Sequence, residues 1–227
     1  MDHVVAIVQA RLGSERLPRK VLADLGGEPI IAHVMKRAAA IPGVHTAIAA
    51  IPDSDGELEA VLRALKIPVF LGSATDVLDR YVRAAAATSA DVIVRVTGDC
   101  PLLCPELAGQ VLGNCLNVRS GGFYSAYVTA DGGIDGLDVE VMRRWMLETA
   151  NANATEPADR EHVTTWIRRN CLRMQAPPPI QFPFKVSVDT PEDLAAVRAI
   201  YKQLPPGHWS FNDLLVAAAR AGVWDFK

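Results

Sequence analysis

The residues with the clearest chemical potential lie together at positions 11–20, which read Arg-Leu-Gly-Ser-Glu-Arg-Leu-Pro-Arg-Lys. Four of these ten residues are basic, although basic residues make up only 23 of the 227 in the chain. Arginine and lysine supply charge to phosphate oxygens, and Gly13 and Ser14 allow backbone N–H groups to approach an anion closely. The segment therefore predicts a phosphate-binding loop. Its spacing matches neither G-x-G-x-x-G nor the Walker pattern, and the alternative is a solvated basic turn that ends at Pro18.

Two aspartates, Asp99 and Asp189, each follow an apolar run and stand two residues before a proline. A carboxylate at the carboxyl end of a strand can face the same crevice as a phosphate loop. The hard cation Mg²⁺ prefers oxygen ligands, typically one or two carboxylates together with substrate phosphates and water. The alternative is structural, because Asp189 could cap a helix that begins near Pro191 and Asp99 could close a turn.

Two arginines outside the loop are candidates for the same crevice. Arg95 stands inside an apolar strand, where a buried guanidinium needs a partner, and this favours a position facing a bound substrate. Arg80 lies on a helix close to Asp76 and Asp79. A surface ion pair with one of these neighbours is the alternative for Arg80.

The carboxylates of Asp138 and Glu140 alternate with the apolar residues Leu137, Val139 and Val141. In a strand this alternation places both carboxylates on one face. That face could line a substrate pocket, and an ordinary solvated face is the alternative.

The elements that must position these residues alternate between strand and helix through about residue 118. Apolar runs predict strands at 4–10, 46–51, 69–71 and 91–96, and helical periodicity predicts helices at 30–41, 55–66 and 76–88. This order predicts a three-layer α/β/α sheet, mostly parallel and Rossmann-like, with right-handed crossovers. The phosphate loop then lies at the carboxyl edge of the first strand, where open sheets of this kind bind ligands.

The second half has a different pattern. It predicts paired strands at 123–128 and 137–142, strands at 172–175 and 185–188, and helices at 143–151, 157–169, 191–203 and 210–221. We interpret residues 1–227 as one domain with an inserted subdomain at about 120–180.

Composition excludes several classes of protein. The chain is 50% hydrophobic and 22% charged, with a net charge of −3, which argues against disorder and against a partner as polyanionic as long nucleic acid. No apolar run approaches the roughly 18 residues that suggest a membrane span. The start of the chain lacks the basic region of a secretory signal. With four cysteines interpreted as free thiols, we expect a cytoplasmic protein.

The sequence resembles the cytidylyltransferases, which include the acylneuraminate and 3-deoxy-manno-octulosonate (Kdo) enzymes, and most closely the spore-coat-polysaccharide type. The segments that carry the resemblance occur in order over almost the whole chain, at 8–20, 25–30, 75–81, 96–102, 135–140 and 188–194. The resemblance implies the nucleotidyltransferase fold, CTP as a substrate, and a homodimer formed through the inserted region. It also implies that Asp99 and Asp189 bind Mg²⁺.

The resemblance also assigns roles within the crevice. The nucleotide-binding residues would be Ala10, Arg11, Gly13, Ser14, Arg16, Lys20, Arg80 and Arg95. Within this set, Arg11, Arg16 and Lys20 would act in catalysis together with Asp99. Asp138, Glu140 and His162 would contact the acceptor. The match around His162 is loose, because the glycine and tyrosine that follow in the Kdo enzymes are absent, and a structural helix histidine is the alternative.

The expected reaction is Mg²⁺-dependent transfer of CMP from CTP to a sugar acid or similar small-molecule acceptor, with release of pyrophosphate, in surface polysaccharide or glycan synthesis. One alternative is a nucleotidyltransferase that uses another nucleoside triphosphate or a sugar 1-phosphate. A glycosyltransferase would require a D-x-D pattern, but residues 98–100 read Gly-Asp-Cys. A non-catalytic nucleotide-binding module is the alternative from a different class.

Overall fold

The computed structural model describes residues 2–117, 124–128, 133–175 and 184–224. The strands in these ranges are β1 Val4–Gln9, β2 Asp24–Leu25, β3 Glu28–Pro29, β4 Thr46–Pro52, β5 Val69–Gly72, β6 Val92–Thr97, β7 Tyr124–Tyr127, β8 Val139–Arg143 and β9 Arg173–Gln175. The helices are α1 Ile30–Ala39, α2 Gly56–Ala64, α3 Val77–Ala87, α4 Pro105–Leu116, α5 Arg144–Asn153, α6 Pro157–His162, α7 Thr165–Asn170, α8 Pro191–Tyr201 and α9 Phe211–Arg220. Lys20–Leu22 form one turn of 3₁₀ helix.

Seven strands form one sheet in the order β5-β4-β1-β6-β8-β7-β9. The first four of these neighbours are mutually parallel, whereas β8 runs antiparallel to both β6 and β7, and β9 is parallel to β7. The strands β2 and β3 form a separate short hairpin. The mostly parallel sheet is confirmed, and the strands that the sequence predicts at 123–128 and 137–142 do pair with each other.

The central strand β1 is buried on both of its faces. Val4, Ala6 and Val8 belong to one apolar layer, and Val5 and Ile7 belong to a second layer on the other side of the sheet. Parallel strands covered by helices on both faces have this near-continuous apolar sequence. The three-layer α/β/α architecture is therefore confirmed, and it leaves the carboxyl ends of β1 and β6 as the exposed polar edge.

The single helix predicted over 157–169 is wrong, because two short helices meet there at a tight turn. Val163 has φ 59° and ψ −56°, and the N–H of Thr164 donates to the carbonyl of His162 at 2.5 Å. This is a γ-turn of the rare, strained form with positive φ. The side chain of Val163 is fully buried, so packing holds the turn in place.

The strand predicted at 185–188 is also wrong. The N–H groups of Val186 and Ser187 donate to the carbonyl of Asp135 at 2.7 and 3.2 Å, and that of Val188 donates to the carbonyl of Asp99 at 2.9 Å. These partners lie in turns, so the segment is extended but does not enter the sheet. Its backbone is instead anchored to the two loops that carry Asp99 and Asp135.

No helix in the described ranges has both the length and the apolar character needed to cross a membrane.

The anchoring of this segment predicts a strict requirement for glycine at position 136. Gly136 has φ +101°, and a Cβ placed there would lie 2.2 Å from the backbone nitrogen of Ser187. Gly136→Ala should lower the free energy of unfolding by about 2–5 kcal/mol through overlap and backbone strain. Gly113→Ala is the matched control, because a Cβ on this helical glycine meets nothing within 4 Å. This substitution should raise the free energy of unfolding by about 0.5–1 kcal/mol. Urea unfolding measures both, and equal stabilities for the two variants would contradict the prediction.

Candidate active site

Two adjacent cavities open at the carboxyl ends of β1 and β6, with volumes of about 680 and 420 Å³. Four residues line both cavities, namely Thr97, Asp99, His162 and Asp189. An open α/β sheet binds ligands at this edge. The arrangement therefore offers neighbouring spaces for two ligands that meet at the shared residues.

The larger cavity gathers seven of the residues predicted to bind nucleotide. They are Ala10, Arg11, Gly13, Ser14, Arg16, Lys20 and Arg80. The side chains of Arg11 and Arg16 are 57% and 66% exposed, so both can turn toward an anion in the cavity. A Cβ placed on Gly13 would meet nothing within 4 Å, and glycine there leaves the space next to the loop open.

Three hydrogen bonds from backbone N–H groups fix the shape of the loop at 11–20. Its Leu12 N–H donates to the carboxylate of Asp55 at 2.8 Å, and the N–H groups of Ser14 and Arg19 donate to the carbonyl of Leu12 at 2.9 and 3.1 Å. Arg19, the fourth basic residue of the segment, pairs with Glu57 and does not line either cavity. Three of the four basic residues therefore face the larger cavity.

Lys20 joins the two predicted metal ligands. Its ammonium lies 2.6 Å from Oδ2 of Asp99 and 2.7 Å from Oδ1 of Asp189. Burial acts to lower the pKa of Lys20, but the two carboxylates outweigh it and hold the pKa above its ordinary value. Two carboxylates from distant parts of the chain thus share one cation at the boundary between the cavities.

Asp189 receives further positive partners. Its Oδ2 lies 2.8 Å from the ammonium of Lys185 and 3.2 Å from Nη2 of Arg16. Burial acts to raise the pKa of Asp189, but hydrogen bonds from the two lysines outweigh it and lower the pKa to about 2. The capping alternative for Asp189 is wrong, because Thr190 caps α8 and forms a capping box with Asp193.

The aspartate pair has the donor set that a magnesium ion requires. Asp99 and Asp189 already converge on one cation, and Mg²⁺ is typically held by one or two carboxylates plus substrate phosphates and water. Within the ranges that the structure describes, no group of three or more Cys, His, Asp or Glu side chains could hold a metal by itself. The residues therefore fit a metal that receives its remaining ligands from phosphate and water.

Arg80 is buried, with 2% of its surface exposed, so the surface ion pair considered for it is wrong. Asp76 pairs instead with Arg160 at 2.5 Å, and Asp79 approaches Arg83 at 3.9 Å. One N–H of Arg80 donates to the carbonyl of Ser73, and its Nε lacks a hydrogen-bond partner among the described residues. Burial lowers the pKa of Arg80, and the guanidinium forms a positive wall of the larger cavity.

Arg95 lies in the smaller cavity rather than in the larger one. Its guanidinium donates to the buried carboxylate of Glu140 and, at 3.0 Å, to Oε1 of Gln9, which lines the larger cavity. The hydroxyl of Tyr124 also donates to Glu140. Glu140 is 3% exposed, so the solvated face considered for it is wrong. These four side chains form one polar row, in which Gln9 lines the larger cavity and Arg95 and Glu140 line the smaller one.

The three residues predicted to contact the acceptor all line the smaller cavity: Asp138, Glu140 and His162. The N–H of Gly136 donates to Oδ2 of Asp138 at 3.0 Å. The γ-turn after His162 ends α6 at the boundary of the cavities. The structure thus brings the predicted acceptor residues together around one space.

Three residues that contribute to the site or contact it were not predicted from the sequence: Gln9, Lys185 and Arg168. Gln9 could have been predicted, because it is a polar residue at the end of an apolar strand and stands two residues before the loop. Lys185 and Arg168 could not, because their place depends on how distant segments pack.

The fold and the site together define an α/β nucleotide-binding protein of the nucleotidyltransferase type, with a basic loop after β1 and an acidic pair between two cavities. Residues 5–208 match the family model described as cytidylyltransferase. The chain belongs to the cytidylyltransferase family, as the sequence predicts, and is a nucleotidyltransferase.

One relative and two solved structures illustrate this similarity. The spore coat polysaccharide biosynthesis protein SpsF of Bacillus subtilis (strain 168) is 33% identical over 216 residues, which cover 89% of this chain and 88% of SpsF. A cytidylyltransferase from Leptospira borgpetersenii has a TM-score of 0.90 at 22% identity and covers 100% of this chain and 99% of its own. A CMP:2-keto-3-deoxy-manno-octonic acid synthetase complexed with CTP has a TM-score of 0.66 at 21% identity, covering 88% and 99%. The two structures share the fold.

The buried pair of Arg95 and Glu140 gives a prediction about stability. Their side chains are only 15% and 4% exposed, so Glu140→Leu leaves an uncompensated buried charge and should cost about 3–5 kcal/mol of unfolding free energy. The double variant Arg95→Met/Glu140→Leu removes both charges and should regain most of that loss. Urea denaturation measures the cycle. If the double variant is as unstable as the single one or less stable, the pair is not coupled in this way.

Proposed function

We propose that this protein transfers CMP from CTP to a sugar acid, or to a similar polyhydroxylated acceptor, and releases pyrophosphate with the help of Mg²⁺. The observation that carries the proposal is the Asp99–Lys20–Asp189 contact at the boundary between the two cavities. It concentrates opposite charges where a nucleotide and an acceptor would meet. The name of the relative SpsF supports a role in polysaccharide synthesis, and the CTP complex of the Kdo-type synthetase supports CTP as the donor.

The loop would hold the triphosphate. Arg11, Arg16 and Lys20 would contact the β- and γ-phosphates, and the N–H of Gly13 and the hydroxyl of Ser14 would donate to the same oxygens. Backbone groups at Ala10 and the guanidinium of Arg80 would face the nucleoside end of the larger cavity. Asp99 and Asp189 would hold the metal ion, which when bound neutralises phosphate charge and polarises the α-phosphate.

The reaction needs correct placement and charge stabilisation more than covalent chemistry. A hydroxyl of the acceptor in the smaller cavity would lose its proton to water, its oxygen would attack the α-phosphorus to form a new P–O bond, and the bond to the pyrophosphate oxygen would break. Arg16 and Lys20 would stabilise the charge that develops on the departing pyrophosphate. Thr97 and His162 line both cavities and would border the line of attack.

The smaller cavity suits a polyhydroxylated acid. Its lining includes the carboxylate of Asp138 and the hydroxyls of Thr164, Thr165 and Ser187, which can bind sugar hydroxyl groups. The guanidinium of Arg168 in the same cavity suits a carboxylate, because arginine binds carboxylates through paired N–H groups.

We extend the proposal to assembly and location. Trp145 and Leu172 are 45% and 70% exposed and leave apolar surface in or next to the 120–170 region, which supports a homodimer formed there. The four cysteines all lie within the described residues and form no disulfide, which supports a cytoplasmic enzyme.

The proposed reaction is tested by measuring pyrophosphate released from CTP and Mg²⁺ with a panel of acceptors that includes Kdo and N-acetylneuraminate. We expect release that requires an acceptor and is faster with CTP than with UTP, ATP or GTP. Equal rates of pyrophosphate release with all four nucleoside triphosphates would favour the alternative of a nucleotidyltransferase that does not require CTP. Absence of release with the whole panel, in a folded protein that still binds CTP, would favour the non-catalytic reading.

Lys20 gives the sharpest prediction about catalysis. Lys20→Ala removes charge stabilisation from the leaving pyrophosphate and should lower kcat about 10²–10³-fold, with the fold retained. Arg19→Ala is the control, because Arg19 belongs to the same loop but pairs with Glu57 outside both cavities. Arg19→Ala should keep turnover within about threefold of the original protein. Full turnover by Lys20→Ala would show that the assignment is wrong.

A further inference from the structure

We infer that Lys185 is a positioning residue for Asp189, fixing the direction in which that carboxylate meets the metal and the nucleotide. The inference rests on the proposed function, because it assigns a role toward the metal-bound nucleotide. Lys185 and Asp193 line neither of the two cavities formed by the described residues. Lys185 would therefore act through Asp189 and not by touching a substrate.

The ammonium of Lys185 joins two carboxylates and approaches a third. It lies 2.8 Å from Oδ2 of Asp189, 2.9 Å from Oδ2 of Asp193 and 3.8 Å from Oδ2 of Asp135. Without a shared cation, carboxylates brought this close would repel one another. Lys185 thus stabilises the approach of Asp189 to the first turn of α8.

The rest of Asp189 is fixed by its neighbours. Its own N–H, and that of Thr190, donate to Oδ2 of Asp193 at 3.0 Å each, and the capping box fixes Asp193 at the start of α8. Lys185 binds Oδ2 of Asp189 from outside the cavities, Arg16 approaches the same oxygen from the larger cavity at 3.2 Å, and Oδ1 faces Lys20 and the boundary of the cavities. Oδ2 thus meets both its anchor and the site, whereas Oδ1 meets the site alone.

The segment that carries both residues lacks the support of the sheet. It is held by individual backbone hydrogen bonds to Asp135 and Asp99, which fix its path but do not orient a side chain. The carboxylate of Asp189, at the end of this segment, can turn with its partners in the cavities unless it is also bound from outside them. Lys185 supplies that bond from four residues earlier in the same segment.

Two effects of removing Lys185 oppose each other. Losing a positive charge near Asp189 would strengthen its attraction for a metal cation. Losing the anchor would weaken metal binding, because hydrogen-bonded partners behind a ligating carboxylate hold it in place and typically matter about 10–100-fold. The side chain of Lys185 is 30% exposed and lines neither cavity, so solvent screens its charge and we expect the loss of orientation to dominate.

The test compares Lys185→Met with Lys185→Arg, which keeps a bridging cation, and with Lys36→Met, which removes one charge from an exposed pair with Glu28. Binding of Mn²⁺ in the presence of CTP and absence of acceptor is followed by electron paramagnetic resonance. We expect Lys185→Met to weaken Mn²⁺ binding about tenfold or more, Lys185→Arg to restore most of it, and Lys36→Met to match the original protein. In turnover, the half-saturating Mg²⁺ concentration should rise in Lys185→Met while kcat at saturating metal changes less than about threefold.

Each other outcome overturns the inference. Unchanged or tighter Mn²⁺ binding by a folded Lys185→Met would show that Lys185 is only a nearby charge. A lower kcat with unchanged metal dependence would show a purely structural role. If Lys185→Met fails to fold, Lys185→Gln is judged by the same criteria. If the original protein binds no Mn²⁺ in the presence of CTP, the proposed function fails and this inference fails with it. If the original protein binds Mn²⁺ and Lys185→Met binds it equally well, only the inference about Lys185 is rejected.

Discussion

The geometry of the active site depends on the contact of one ammonium with two carboxylates that are far apart in the sequence. Lys20 meets Asp99 and Asp189 across separations of 79 and 169 residues. Two charged carboxylates that converge on one point repel each other unless a cation lies between them. The loop after β1, the turn after β6 and the extended segment before α8 must therefore meet at one point. The parallel order of β1 and β6 makes this possible, because it brings two of the three to the same edge of the sheet.

Charge is balanced separately on each side of that point. In the larger cavity, the exposed arginines of the loop and the buried Arg80 leave an excess of positive charge that suits a polyanion. In the smaller cavity, Arg95 and Glu140 neutralise each other within the lining, which leaves hydroxyl groups and a few charged side chains for other contacts. The antiparallel strand β8 makes this division possible, because it places Glu140 beside Arg95 where a parallel sheet would have continued with apolar residues.

Much of this could be predicted from local sequence, and the remainder could not for a physical reason. Apolar runs and helical periods identified the sheet layers, and the position of 11–20 after the first strand located the larger cavity. The break at Val163 and the path of 185–188 escaped prediction because both are fixed by tertiary packing and by hydrogen bonds to remote carbonyl groups. The burial of Arg80 could not be predicted from the sequence either, because its acidic neighbours in the sequence form ion pairs with other residues.

The γ-turn at Val163 has a mechanical consequence. A β-branched residue at positive φ costs about 1–3 kcal/mol, and the full burial of its side chain offsets that cost. Packing in the hydrophobic interior holds the turn between α6 and α7 in a conformation that differs from a continuous helix. His162 is itself exposed. Its backbone nevertheless belongs to the turn, so the buried side chain of Val163 fixes the position of the His162 backbone. The side chain of His162, which lines both cavities, is thereby positioned by packing in the core.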